Sequence, residues 1–148
     1  MVFRIIFYLS LIFSLLASVK ATAQELDFSS DYQIIANESG LTEMNIADLR
    51  KRFKGKYYSW ETKIDVIIVL PSSKHKNAEE ISRIIYDKSF YGVKKFWLSL
   101  VFQGRFNAPN FFDSDEEIID FISKNKGALG FVSKKASVSE KFVITLIP

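Results

Sequence analysis

The sequence predicts an α/β domain: a small sheet with flanking helices in a three-layer-like arrangement. Three observations support this. Short β-branched runs alternate with segments of helical periodicity along the chain, which is the pattern of layered α/β domains. The run 64–70, IDVIIVL, is apolar throughout instead of alternating, as expected of a strand covered on both faces. Within 91–105, Val93, Phe96, Trp97, Leu100 and Val101 recur at i, i+3, i+4, i+7 and i+8. That spacing puts them on one buried helix face, and Gly104 supplies the stop.

The chain opens with Arg4, an almost wholly apolar run at 5–19, and Ala21-Thr22-Ala23. This is the pattern of a cleaved signal peptide, residues 1–23. The run ends at Lys20, short of the roughly 20 residues a membrane-spanning helix needs, so an uncleaved anchor is the alternative and no membrane contact is expected after cleavage. Residues 24–30 read as a flexible lead-in, and 31–148 as a single domain.

Tyr32, Ile34 and Ile35 make 31–37 a strand, and Glu38-Ser39-Gly40 turns the chain. Thr42 or Asn45 caps a helix that buries Ile46, Leu49 and Phe53, shows Arg50, Lys51 and Arg52 to water, and stops at Gly55. Trp60 leads into the strand 64–70, ended by Pro71. The polar loop 72–77 follows, and a helix over 78–87 then turns Ile81, Ile84 and Ile85 inward. After a break at 89–91 comes the 91–105 helix, then an extended connector or edge strand at 107–112 containing Pro109. Ser114 and Glu117 fit a capping box for a helix over 115–124 that buries Ile118, Ile119, Phe121 and Ile122. Residues 125–127 end it, and strands at 128–132 and 142–147 complete the chain.

With 148 residues, 48% hydrophobic and 25% charged, the chain suits one ordered domain. Of its 20 basic residues, Arg4 and Lys20 fall in the signal segment, leaving 18 against 17 acidic. Nucleic-acid binding is therefore not expected, since it needs a clustered basic face. There is no cysteine, which excludes disulfides, thiol catalysis, cysteine zinc sites and a lipidated N-terminal Cys. Nothing in the chain can be misoxidised to a wrong disulfide in an oxidising periplasm.

His75, the only histidine, would have to carry any metal site or Ser-His-Asp relay. Between Lys74 and Lys76 in a polar loop, it is expected to face solvent. Asp113, Asp115, Glu116, Glu117 and Asp120 lack the Gly-centred spacing of an EF-hand and suit the first turn of a helix. Lys54-Gly55-Lys56 and the glycines around Ala128 are neither Walker nor dinucleotide fingerprints. No enzyme, metal or cofactor is expected.

Four passages then resemble the phosphate-binding, PstS-like periplasmic substrate-binding proteins of ABC transporters and their small single-domain relatives. They are LRKRFKGKYYSW at 49–60; Phe96-Trp97 with VFQGR at 101–105; Ala108-Pro109; and KGALGFV at 126–132. The resemblance implies one lobe of a type 2 periplasmic binding protein, without catalysis. Such proteins hold phosphate through an Arg and a Ser-Gly-Thr group after the central strand, where this chain reads Leu70-Pro71-Ser72-Ser73-Lys74-His75. Ligands of open α/β sheets gather at strand C-termini. The expectation is therefore weak binding of phosphate or another small anion by Ser72, Ser73 and Lys74, with Ser39, Gly40 and Arg105, and a transporter as partner. The alternative is an envelope protein-interaction module that kept the fold and lost the ligand.

Overall fold

The computed structural model describes residues 31–147; the expected signal peptide and lead-in lie outside them. The described residues form β1 (Tyr32–Ala36), β2 (Glu43–Asn45), α1 (Ile46–Phe53), β3 (Ile67–Pro71), α2 (Ala78–Tyr86), α3 (Phe90–Phe102), β4 (Asn110–Phe112), α4 (Asp115–Lys124), β5 (Ala128–Ser133) and β6 (Val143–Ile147). The strands make one sheet in the order β2-β6-β1-β5-β3-β4. β1 is antiparallel to β5 and β6, while β3 runs parallel to both β5 and β4.

Side chains alternate across a strand, so this sheet builds two cores. Ile35, Val69, Ala128 and Val132 pack with Ile118 and Ile122 of α4. Their neighbours Ile34, Ile68, Leu70, Leu129 and Phe131 are buried on the other face, where Phe53 of α1 stacks on Phe131 with ring centroids 4.3 Å apart. Helices cover both faces, as expected. The Tyr86 hydroxyl, at the end of α2, donates to the Phe53 carbonyl at 2.8 Å and accepts Trp97 Nε1–H at 3.0 Å, so one buried phenol joins α1, α2 and α3. Burial pushes its ionisation well above the ordinary tyrosine range and keeps it a donor.

Local chemistry explains where the elements depart from expectation. Asn45, not Thr42, caps α1, accepting Asp48 N–H at 2.8 Å. β2 is a three-residue edge strand made only by pairing with β6, and no local pattern announces it. The apolar run yields strand only from Ile67, because the preceding loop engages its first residues: Trp60 N–H bonds the Ile64 carbonyl and Val66 N–H the Tyr58 carbonyl. α3 runs from Phe90 to Phe102 and buries Val93, Trp97 and Leu100, while Phe96 is half-buried and Val101 faces solvent. Ile84, Ile119 and Phe121 are likewise only half-buried. Ser114 caps α4 by accepting Glu117 N–H, but the Glu117 carboxylate reaches back to Asp113 N–H rather than to that of Ser114.

Arg52 is a larger correction. It is buried, with its guanidinium 4.5 Å from the Trp60 ring centre and 4.8 Å from that of Tyr57. Stacking on two aromatic faces holds a cation where water cannot. Burial lowers its pKa, and its Nε has no hydrogen-bond partner among the described residues.

The central strands meet at Gly127. Its N–H donates to the Asn37 carbonyl at 2.7 Å, and its carbonyl accepts Ile67 N–H at 3.0 Å and Trp60 Nε1–H at 2.9 Å. Its φ is +84°, and a Cβ there would stand 2.1 Å from the Asp65 carbonyl oxygen. Gly127→Ala is expected to cost at least about 3 kcal/mol in denaturant unfolding. Gly104→Ala, at φ +64° with nothing within 4 Å of the added methyl, should cost only about 1 kcal/mol. Equal losses would refute the junction. Tyr86→Phe leaves a buried carbonyl and an indole N–H unpaired and should cost about 2 kcal/mol; an unchanged melt would remove the phenol as the joint between helices.

Candidate functional site

β3 and β4 run parallel with Pro71 opposite Phe112, so both chains leave the sheet at the same edge. Ser72 N–H ties them together at the Phe112 carbonyl, 2.7 Å away. The loop after β3 therefore lies against the first turn of α4. The Ser72 hydroxyl donates to Asp113, whose other carboxylate oxygen lies 3.3 Å from Lys74 Nζ. These two contacts hold the Asp113 carboxyl below the usual carboxylate range.

His75 does not face solvent. It is buried, because its loop folds inward under α4. Its Nδ1 accepts Asn77 N–H at 3.2 Å, which puts the proton of the neutral ring on Nε2, 3.2 Å from Asp115 Oδ1. The second Asp115 oxygen accepts Ser133 N–H at 3.3 Å, at the end of β5. Ser133 is paired with Tyr32 at the start of β1, and the Tyr32 hydroxyl donates to Glu80 of α2 at 2.5 Å. Burial first, and Glu80 second, push the Tyr32 ionisation above its ordinary range.

This edge collects Tyr32, Ser72, Ser73, Lys74, His75, Glu80, Asp113 and Asp115. A Ser-His-Asp relay would need one histidine nitrogen free to accept from a hydroxyl, and here Nδ1 is engaged by backbone and Nε2 by Asp115. Among the described residues no group of three or more His, Asp or Glu is placed to hold a metal ion. One feature does suit a ligand. The N-termini of α1, α3 and α4 are capped by Asn45, Ser89 and Ser114, whereas Asn77 makes no side-chain cap on α2. The positive end of the helix dipole attracts an oxyanion, although here Ala78 N–H already bonds the His75 carbonyl at 3.1 Å and Glu79 and Glu80 stand in the first turn. Ser72, Ser73 and Lys74 sit in the loop that leads to this end.

The other three candidates lie elsewhere. β1 is paired with β5 from Tyr32 opposite Ser133 to Ala36 opposite Leu129, so Ser39 and Gly40, which follow it, are at the opposite edge of the sheet. Ser39 is buried and closes a turn with Leu41, while Gly40, at φ +75°, packs close to Thr62. Arg105 lines a groove of about 890 Å³ with Tyr58, Asp65 and Asn107, beside the start of β3 rather than its end. The residues that sequence reasoning missed at this edge are Tyr32 and Glu80, along with the buried state of His75; Asp113 and Asp115 it set aside as acids of a helix's first turn. The signal was that pair of aspartates flanking Ser114, which acquires meaning only once β4 is known to lie beside β3.

No model of a known protein family and no curated protein sequence matches this chain. Solved structures do. A protein assigned as a phosphate ABC transporter substrate-binding protein from Clostridium perfringens, with bound phosphate, aligns at TM-score 0.59 and 11% identity over 78% of this chain and 44% of its own. An ABC-type phosphate transport receptor from Vibrio cholerae aligns at 0.59 and 14% over 80% and 49%. PstS from Borrelia burgdorferi gives 0.55 and 14% over 78% and 47%. This chain thus spans a little under half the length of the structures it matches. Its six-stranded sheet with helices on both faces has the fold of a lobe of the phosphate ABC transporter substrate-binding proteins.

Proposed function

We propose that the domain is an exported, non-enzymatic binding module that takes a phosphate-like oxyanion weakly at the uncapped start of α2, using Ser72, Ser73 and Lys74, and that it serves an ABC transporter. The observation that carries this reading is the helix N-terminus without a side-chain cap, reached by a loop that carries two hydroxyls and an ammonium, at a strand C-terminal edge. The fold shared with a phosphate-bound structure supports it. Among the described residues no helix is long and apolar enough to cross a membrane.

The weakness follows from Asp113. An incoming anion competes with a carboxylate that already holds Ser72 and Lys74, and Asp115 and Glu80 add negative charge nearby. Asp113 also motivates a second reading: if it acts as a permanent internal substitute for the ligand, the domain is an envelope protein-interaction module.

Calorimetry with phosphate and sulfate separates the two. Phosphate should bind in the range of about millimolar Kd, and Lys74→Ala should weaken it severalfold. Asp113→Asn removes the competing charge and should tighten binding about tenfold, since like charges about 4 Å apart repel by 1 kcal/mol or more. Absence of heat from both the natural chain and Asp113→Asn would discard the anion site and leave the interaction module.

A further inference from the structure

We propose that the outward face of α3 docks on the headgroup region of an anionic phospholipid bilayer. This inference is independent of the anion site and revises the expectation of no membrane contact. α3 buries Val93, Trp97 and Leu100 against the domain. At 100° per residue the opposite side of the helix carries Tyr91, Leu98 and Phe102 in a line, with Val101 beside them. These four are exposed by 66, 56, 82 and 36% respectively. A helix that is apolar on both sides calls for cover on both, and the domain supplies only one.

Charge decides the occupant. From Lys88 to Phe112 the chain carries Lys88, Lys94, Lys95 and Arg105 and no carboxylate. Lys94 and Lys95 stand on the two shoulders of the stripe, and Lys95 Nζ lies 4.8 Å from the centre of the Tyr91 ring. Glu79, which reaches the start of α3 at Phe90 N–H, is paired with Arg83 at 2.8 Å. A second copy docked by a twofold axis would set these cations against their own images, so the face disfavours self-association.

An anionic bilayer fits both halves of the pattern. Leu98, Phe102 and the Tyr91 ring enter the interface while the lysines reach lipid phosphates. A shallow cleft of about 540 Å³ along one shoulder, lined by Lys88, Ser89, Lys95, Phe96 and Ser99, offers cations and hydroxyls at the depth of a headgroup.

The test is co-sedimentation of residues 24–148, which contain every described element, with vesicles of phosphatidylcholine alone or with added phosphatidylglycerol. Binding is expected only with phosphatidylglycerol and should fall with salt. Leu98→Ser with Phe102→Ser, and separately Lys94→Glu with Lys95→Glu, should each lower partitioning at least about tenfold. Tm should be unchanged, because these side chains are exposed. Equal binding to both vesicle types, no binding to either, or variants that bind like the natural chain would overturn the proposal. So would a dimer in light scattering that the Leu98→Ser, Phe102→Ser variant dissolves, or a soluble acidic protein captured by this face in preference to vesicles.

Discussion

The peptide carbonyl of Gly127 accepts two donors at once, the backbone N–H of Ile67 and the indole N–H of Trp60. Together with the bond from Gly127 N–H to Asn37, this fixes β1, β3 and β5 in one register. A backbone oxygen has two lone pairs, and burying it with both engaged locks three segments that are far apart in sequence. Trp60, held from below, becomes the platform on which Arg52 rests. The register also gathers the candidate site: because Ile67 starts opposite Ala128, β3 must end near Ser133, where β1 begins and β4 ends.

The site shows how short-range and long-range physics divide the work. Ser72, Lys74 and Asp113 are all exposed or half-exposed, so their mutual attraction is modest in energy and serves chiefly to place the loop. His75 and Asp115 are held more firmly, because each partner has a second bond to backbone that fixes its orientation. The positive end of α2 stays without a side-chain cap, while Lys74, Glu79 and Glu80 around it are already engaged by Asp113, Arg83 and Tyr32.

Much of the fold was legible because its signals are local. The spacing of Ile46, Leu49 and Phe53, the Ser114 cap and the Gly104 stop each depend on residues within a turn or two. The apolar run before Pro71 identified an interior strand without knowledge of its neighbours. The errors share a cause too. β2 and the burial of His75 each depend on a partner distant in sequence, β6 and Asp115, while Arg52 is covered by Tyr57 and Trp60 of the loop that follows its own helix, a course that no local periodicity encodes. Three of the proposed ligand residues, Ser72, Ser73 and Lys74, were reachable from strand polarity. Ser39, Gly40 and Arg105 were grouped with them on resemblance; the antiparallel course of β1 carries Ser39 and Gly40 away, and Arg105, following α3, lies beside the start of β3.

The two tryptophans, both nearly fully buried, occupy different environments. The Trp60 ring lies under a guanidinium and bonds a sheet carbonyl, whereas Trp97 bonds a phenol within the helical layer. The molecule therefore carries one tryptophan, selectively excited at the red edge of protein absorption, in each of two structural compartments. With either ring replaced by phenylalanine, the emission of the other would follow loosening of the sheet junction or of the helix layer separately, without any added dye.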